Sequence, residues 1–466
     1  MKRRQFLKAM GLGAAHLAMP ILSRGAQACT NKPNIILILA DDLGWAELEC
    51  YHNTFNETPN LDRLAEEGMR FTQAYAAAPV CSPTRAALMT GQYPPRIGIT
   101  DYLRPNDKNH LSTEHITIAE TLKHAGYATG IIGKWHLTGY ANHGAEEFPP
   151  NVHGFDDTIV SENRGIGGGS YFHPYHFNRE IKKRLPGREH LVDRMNLEAT
   201  EFIRRHKDRR FFLYLSHYAV HTRLHGKEEL VSKFEKKPKA GKGNTARRNN
   251  PHLAAQLKSI DEGVGMIMNT LDKLGLAEKT MVVFTGDNGG ESRVTSNAPM
   301  RAGKSTLYEG GIRVPLILHY PGATPSGAVC KTPVSSIDFY PTFCEITGIK
   351  PDQQQRVDGV SMMPLLRDPE AKLKRDPLYW HYPLLKPHFL GGRSSGAIQQ
   401  GHWKLIQFFD TGKSELYNLY NDIGETKNLA VKLPEKARQL EEALTNWQNR
   451  MGAAVAPDCV GHGLQF

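Results

Sequence analysis

Five short apolar runs constrain what this chain can fold into: Asn34–Ala40 (NIILILA), Ala128–Ile132, Phe211–Leu215 (FFLYL), Met281–Thr285 (MVVFT) and Pro315–His319. None sustains polar alternation, and each is too short for a buried helix, so they read as strands covered on both faces. Between them lie amphipathic, helix-like segments near Asn60–Glu67, Glu114–His124, Leu191–His206, Leu253–Leu274 and Ser335–Ile346. Thr58-Pro59 and Gly68 supply start and stop signals for the first. This alternation predicts an α/β fold with a large, mostly parallel central sheet and helices on both faces. Sheets of that kind place their sites at the carboxyl ends of the strands, so the residues that follow each run are the candidates.

The pattern changes near Pro364–Pro377. Beyond it come turn-rich strand-like pieces, His402–Phe409 and Ser414–Leu419, and a closing helix over about Pro434–Met451. We expect a large domain over 29–370 and a smaller C-terminal α+β domain over 371–466 with a short antiparallel sheet. A chain of 466 residues has room for both, at roughly 150 residues per domain.

Residues 1–28 have the grammar of an export signal: a basic start, a mildly apolar stretch and the small-residue pattern Ala26-Gln27-Ala28. Arg3-Arg4 followed by Gln5-Phe6-Leu7-Lys8 points to the twin-arginine type, hence to bacterial export machinery and a periplasmic or secreted protein. The other reading, a membrane-anchoring helix, is opposed by Gly11, Gly13, His16 and Pro20. A lipid anchor at Cys29 is opposed by Ala26, which stands where an aliphatic residue is expected. No later uncharged apolar run is long enough for an integral membrane bundle. The formal net charge of +10 contains five basic residues of the signal, and Lys233–Arg248 adds +6. Everything else is nearly neutral, so the charge is not a general affinity for polyanions, and no nucleic-acid module is recognisable. The segment Lys233–Asn250 reads as a surface insertion that is either a solvated loop or a basic rim steering a polyanion.

Asp41-Asp42 follow the first run, and Asp287-Asn288-Gly289 follow MVVFT. Their hard oxygen donors suit Ca²⁺ or Mg²⁺ if the two clusters converge; taken singly, each also fits a cap or a turn. Gly133-Lys134-Trp135-His136 follow the second run, and Ser216-His217-Tyr218-Ala219-Val220-His221 the third, with Lys304 ahead of the fifth. Together these lysines and histidines would make a cationic, proton-transferring pocket for an oxyanion, although each histidine alone also fits packing or surface. Cys81 precedes Pro83, where a helix would start, and Gly91, where it would stop. A thiol just ahead of a helix N-terminus has its pKa lowered, so a plain nucleophilic cysteine is one reading and a buried cysteine the other.

Cys81-Ser82-Pro83-Thr84-Arg85 with Gly91 resembles the C-x-P-x-R…TG signature of the type I, formylglycine-dependent sulfatases of the alkaline phosphatase superfamily. Asp41-Asp42, Gly133-Lys134-Trp135-His136, Asp287-Asn288-Gly289, Gly303-Lys304, Asp358-Gly359-Val360-Ser361, Trp403-Lys404-Leu405 and Glu415-Leu416-Tyr417-Asn418-Leu419 occur in that family's arylsulfatase-like order, from about residue 33 to 430. The resemblance implies a sulfuric ester hydrolase. Cys81, converted to Cα-formylglycine by a maturation enzyme, supplies a hydrated diol as nucleophile. Asp41, Asp42, Asp287 and Asn288, with position 81, hold one Ca²⁺ (Mg²⁺ being the lesser alternative). Arg85 holds the diol, Lys134 and Lys304 bind sulfate oxygens, His136 acts as base, and His221 contacts the ester oxygen of the leaving alcohol. The family usually has Pro immediately before this last histidine. Here Val220 stands there, and His217 competes for the role.

Export suggests a sulfated carbohydrate as substrate. Two rival readings are a phosphate or phosphonate monoester hydrolase of the same superfamily and a non-catalytic binder of sulfated glycans. His381 and Arg393 are further candidates for the substrate side, and a Cys330–Cys344 disulfide is open in an oxidising compartment.

Overall fold

The computed structural model describes residues 32–140, 148–165 and 170–453. The export segment, Cys29 and Cys459 lie outside the described residues. From Pro33 onward the described residues form one compact unit. Among them no helix is long and apolar enough to cross a membrane.

Nine strands build the large sheet: β1 (Asn34–Ala40), β2 (Met69–Tyr75), β3 (Ala128–Gly133), β4 (Asp157–Ile159), β5 (Phe211–Ser216), β6 (Thr280–Gly286), β7 (Arg313–His319), β8 (Ala328–Cys330) and β9 (Val334–Ser335). Their spatial order is β4-β3-β5-β1-β6-β7-β2-β8, with β9 also against β2. The first five strands in that order run parallel. β1 shows why the sheet lies at the centre. Ile35, Leu37 and Leu39 enter one core and Ile36, Ile38 and Ala40 the other, as the two-residue period of a strand requires. The long helix Pro251–Lys273 covers one face with Leu257, Ile260 and Val264, and the helices Ile118–His124 and Phe339–Thr347 cover the other with Leu122 and Phe343.

Some elements differ from expectation. β7, the Pro315–His319 run, lies antiparallel to both β6 and β2. β2 has no apolar run, because Arg70, Thr72 and Gln73 alternate with buried Met69 and Phe71. The helix expected from Glu114 starts at Ile118, because Thr117 and Glu120 form a capping box that satisfies both backbone donors. Ser335 begins as strand before its helix starts at Phe339. The insertion is less irregular than its composition implies: Lys233–Glu235 end a helix begun at Glu228. Lys233 and Lys237 both pair with Glu57.

The small sheet is an antiparallel meander of β10 (Leu378–Tyr382), β11 (Ser395–Gln400), β12 (Trp403–Phe408) and β13 (Ser414–Asn418). The helix Pro434–Met451 packs on it, with Trp447 stacked 4.8 Å from Tyr379.

Candidate active site

β3, β5, β1 and β6 are consecutive neighbours with their carboxyl ends in register: Gly133 is opposite Ser216, Leu39 opposite Ser216, and Ala40 opposite Gly286. Parallel neighbours lie about 4.8 Å apart. Residues 246 positions apart, Asp42 and Asn288, therefore emerge side by side. Gly133 makes the exit of β3 possible. At φ 102° a Cβ there would meet the Ser216 carbonyl at 2.2 Å, and the glycine lets the Lys134 amide donate to that same carbonyl at 2.8 Å.

Cys81 reaches this edge from outside the sheet. The helix spans Cys81–Thr90, so Cys81 is its first residue and Pro83 its third, two positions later than the sequence signal implied. Gly91 ends it at φ 69°. Cys81 Sγ lies 3.4 Å from Asp41 Oδ1 and 4.0 Å from Asp42 Oδ1. One ligand atom from each of Asp41, Asp42, Cys81 and Asp287 falls within 4.8 Å of every other.

Three buried cations surround these three carboxylates. Arg85 donates through Nε (3.0 Å) and Nη2 (2.7 Å) to Asp287 Oδ2, and through Nη1 to Ser216 Oγ (2.6 Å) and the Lys134 carbonyl (3.2 Å). Lys134 Nζ donates to Asp41 Oδ2 at 2.6 Å, and Lys304 Nζ to Asp42 Oδ2 at 2.8 Å. Asn288 Nδ2 donates to Asp42 Oδ1 at 2.8 Å, while Asn288 Oδ1 is buried with no hydrogen-bond partner. An orphaned amide oxygen is costly, and here it sits beside three carboxylates. That donor set fits a hard divalent cation such as Ca²⁺.

Burial and charge pull the titrations apart. Burial alone would raise Asp41, but Lys134, His221, Arg85 and Lys304 hold it well below the usual range. Burial and the neighbouring Asp41 charge raise Asp287. For Lys134 and Lys304 burial opposes the charge, and the carboxylates outweigh it, so both stay ammonium. The thiol corrects one expectation. Burial, then the Asp41 charge, pushes Cys81 up rather than down, so the helix start does not produce an activated plain thiolate.

The two proton-carrying candidates are ordered by carbonyls. His136 Nε2 bonds the Leu103 carbonyl at 2.8 Å, which places its hydrogen there and leaves the buried, unpartnered Nδ1 as the acceptor. Burial and Lys134 keep this ring neutral. His221 Nδ1 donates to the Thr222 carbonyl at 2.6 Å, and its Nε2 lies 3.7 Å from Asp42 Oδ2. Burial, then Lys304, lowers its pKa.

Cys81, Arg85, Lys134, His136, His221, Lys304, Asp41, Asp42, Asp287 and Asn288 thus gather at one sheet edge. Other candidates do not join them. His217 is buried with its Nδ1 unpartnered, and burial lowers its pKa to about 3. It sits one residue past β5, whereas the turn that follows carries His221 back to Asp42. His381 lies in β10 against Phe409, and Arg393 is engaged by Asp410 at 2.7 Å. Cys330 and Cys344 are buried free thiols, not a disulfide.

Sequence reading missed Glu162. This buried carboxylate accepts the backbone amides of Trp135 (2.9 Å) and His136 (2.7 Å) and the hydroxyls of Tyr218 (2.5 Å) and Tyr140. It thereby ties the segment after β3 to the segment after β5. Nothing in its local sequence marks it, because its partners are backbone groups brought by the fold.

Residues 33–349 match the family described as Sulfatase, and residues 302–450 match N-sulphoglucosamine sulphohydrolase, C-terminal. A sulfatase of Formosa agariphila is 32% identical, over 90% of this chain and 89% of its own length. The N-acetylgalactosamine-6-sulfatase of Canis lupus familiaris is 33% identical, over 80% of this chain and 71% of its own. The crystal structure of Ps i-CgsB in complex with k-i-k-neocarrahexaose superposes with a TM-score of 0.78 at 32% identity, covering 89% of this chain and 92% of that one. Family match, relatives and fold agree over nearly the whole described chain, which belongs to the sulfatase family and is an enzyme that hydrolyses sulfate esters.

Proposed function

We propose that this sulfatase acts on sulfated carbohydrates with a Ca²⁺ ion held by Asp41, Asp42, Asp287, Asn288 and position 81, and with Cys81 matured to formylglycine. The observation that carries this reading is the convergence of the Cys81 side chain with three carboxylates beside the orphaned Asn288 Oδ1. When bound, the ion and the modified residue supply positive charge and an oxygen nucleophile.

The chain's own residues supply the rest. Three acids and three cations balance inside the fold, so an added dication leaves the site positive and attracts an anionic sulfate ester. Lys134 and Lys304 are buried ammoniums whose unused hydrogens bind sulfate oxygens. Arg85 is committed to Asp287 and Ser216, and it holds the acid cluster rigid. His136 takes a proton at Nδ1, the atom left free by its bond to Leu103. His221, already donating from Nδ1, carries any second proton on Nε2 and delivers it to the leaving alcohol. Its lowered pKa makes the imidazolium a stronger acid. The relative solved in complex with k-i-k-neocarrahexaose supports a carbohydrate substrate. A formylglycine-generating enzyme and the twin-arginine export machinery complete the set of partners, with residues 1–28 removed on the way to the periplasm or medium.

Mass spectrometry of the peptide containing Cys81, from protein made with a maturation enzyme, tests the modification, which removes about 18 Da from cysteine. Release of sulfate from 4-nitrophenyl sulfate, compared with phosphate from 4-nitrophenyl phosphate, tests the reaction. An unmodified Cys81 in fully active protein would sink the proposed nucleophile.

A further inference from the structure

A cavity of about 830 Å³ opens beside His221 and is lined by Arg223, Arg247, Arg293 and Glu291. The reacting cluster meets it from inside. The side chains of Asp41, Asp42, Arg85 and Lys134 are at most 1% exposed, whereas His221 is 12% and Lys304 8% exposed. His221 is the most exposed of these side chains and itself lines the cavity, which makes the cavity the candidate place for the group attached to the leaving oxygen.

Its charge is unevenly spent. Glu291 is buried, accepting from Thr222 Oγ1 at 2.9 Å and from Arg293 at 2.6 Å, so Arg293 neutralises it. Arg293 also lies 4.9 Å from the ring of Phe389, which is 67% exposed. Arg223 and Arg247 are exposed, and among the described residues neither forms an ion pair. Arg247 comes from the basic insertion, whose Lys233 and Lys237 are turned away to Glu57. Only the far end of that insertion, with Asn244 and Thr245, reaches the cavity.

We infer that this cavity is a second oxyanion subsite. Arg223 and Arg247 bind a further sulfate or carboxylate on the same glycan, beyond the ester being cleaved. The inference rests on the sulfatase reading and sharpens it: the substrate carries at least two anionic groups. Two guanidiniums without carboxylate partners suit such a group, since each offers a planar pair of donors.

Titration calorimetry on the full chain made without the maturation enzyme, so that Cys81 stays unconverted and no ester is cleaved, tests it with three disaccharides, each carrying one sulfate ester on its first sugar. Their second sugars are neutral, sulfated or a uronate. The wild type should bind one or both charged probes about tenfold more tightly than the neutral one, by a ratio that shrinks with salt. Arg223→Ala/Arg247→Ala should abolish the ratio, and Arg223→Lys/Arg247→Lys should restore part of it. Preference for the sulfate or for the uronate identifies the natural anion. A wild type with no preference, or a ratio that survives the alanine pair, overturns the inference. So does an equal rise in KM for 4-nitrophenyl sulfate, which has no second anion. Failure of the wild type to release sulfate from any ester would instead count against the proposed function, because the binding ratio is read without turnover.

Discussion

Among the described residues, two of the buried charge clusters make a contrast: one closes on itself, and the other keeps bonding capacity. At the joint between the sheets, Lys404 Nζ lies 2.8 Å from Glu309 Oε1 and 2.9 Å from Glu425 Oε1, with all three side chains fully buried. Arg313 adds a bond to Glu309 at 3.1 Å, Tyr75 another at 3.0 Å, and Glu425 accepts the Glu309 amide at 2.7 Å. Two acids and two cations pair there, Glu425 Oε1 meeting Lys404 as an ion pair without a hydrogen bond. Lys404 stands in β12 and Glu309 begins the turn leading into β7, so this cluster fastens the small sheet to the large one. The cluster after β1, β3, β5 and β6 is balanced too, but it keeps an orphaned amide oxygen, an unpartnered His136 Nδ1 and an edge open at His221. Buried charge alone does not mark a site. Unspent bonding capacity with a path to solvent does.

Substitutions should separate the two clusters. The largest effect is expected at position 81: Cys81→Ser should cost at least about a thousandfold in kcat while leaving the thermal midpoint in place, and chelation of divalent cations should inactivate the wild type reversibly. Steady-state kinetics beside a melting curve reads both, and sustained turnover by the serine variant would break the contrast. At the joint the signs reverse. Lys404→Ala strands the buried Glu425 carboxylate, whereas Glu309 keeps Arg313, and should cost about 3–5 kcal/mol in denaturant unfolding, while the folded fraction keeps its turnover. A variant that folds normally but is inactive would show that the joint serves the chemistry. Within the open cluster, His221→Asn should lower kcat on an alkyl sulfate about a hundredfold and much less on a good aryl leaving group, whereas His217→Asn should leave that leaving-group dependence unaltered. A smaller effect should appear with pH. His153 and His190 are buried away from the catalytic cluster, and burial lowers each to about 4. The unfolded chain binds their protons first, so stability is fully present above about pH 6.5 and falls as pH drops towards 4, by on the order of 2 kcal/mol per residue. Denaturant midpoints between pH 7 and 4.5 for wild type and His190→Gln measure it, and a flat profile would refute it.

Much of the site was legible before any fold was known. The acidic pairs, Lys134 and the histidines lie directly after apolar runs, where a parallel sheet must present them, whereas Cys81 stood out by its signature and Lys304 by its place ahead of the fifth run. β2 was not legible, because an antiparallel strand inside a mixed sheet needs no continuous apolar run. Nor was Glu162, whose role consists of bonds to backbone amides supplied by distant turns. The choice between His217 and His221 was equally closed to sequence: four residues apart, they differ in which one the turn carries to Asp42. Composition marked the whole insertion as basic, but the fold pairs Lys233 and Lys237 with Glu57 and leaves Arg247 lining the cavity with no ion pair among the described residues.

By itself the sequence determined the kind of chemistry, because strand-forming runs and the reactive residues that follow them are local properties of the chain. Tertiary structure decided which groups still have bonding capacity to offer. Arg85 and Lys404 are spent, whereas among the described residues Asn288 Oδ1 and His136 Nδ1 have no hydrogen-bond partner and the two cavity arginines no ion pair. That distinction depends on where partners from strands hundreds of residues apart come to rest, which no local stretch of sequence encodes.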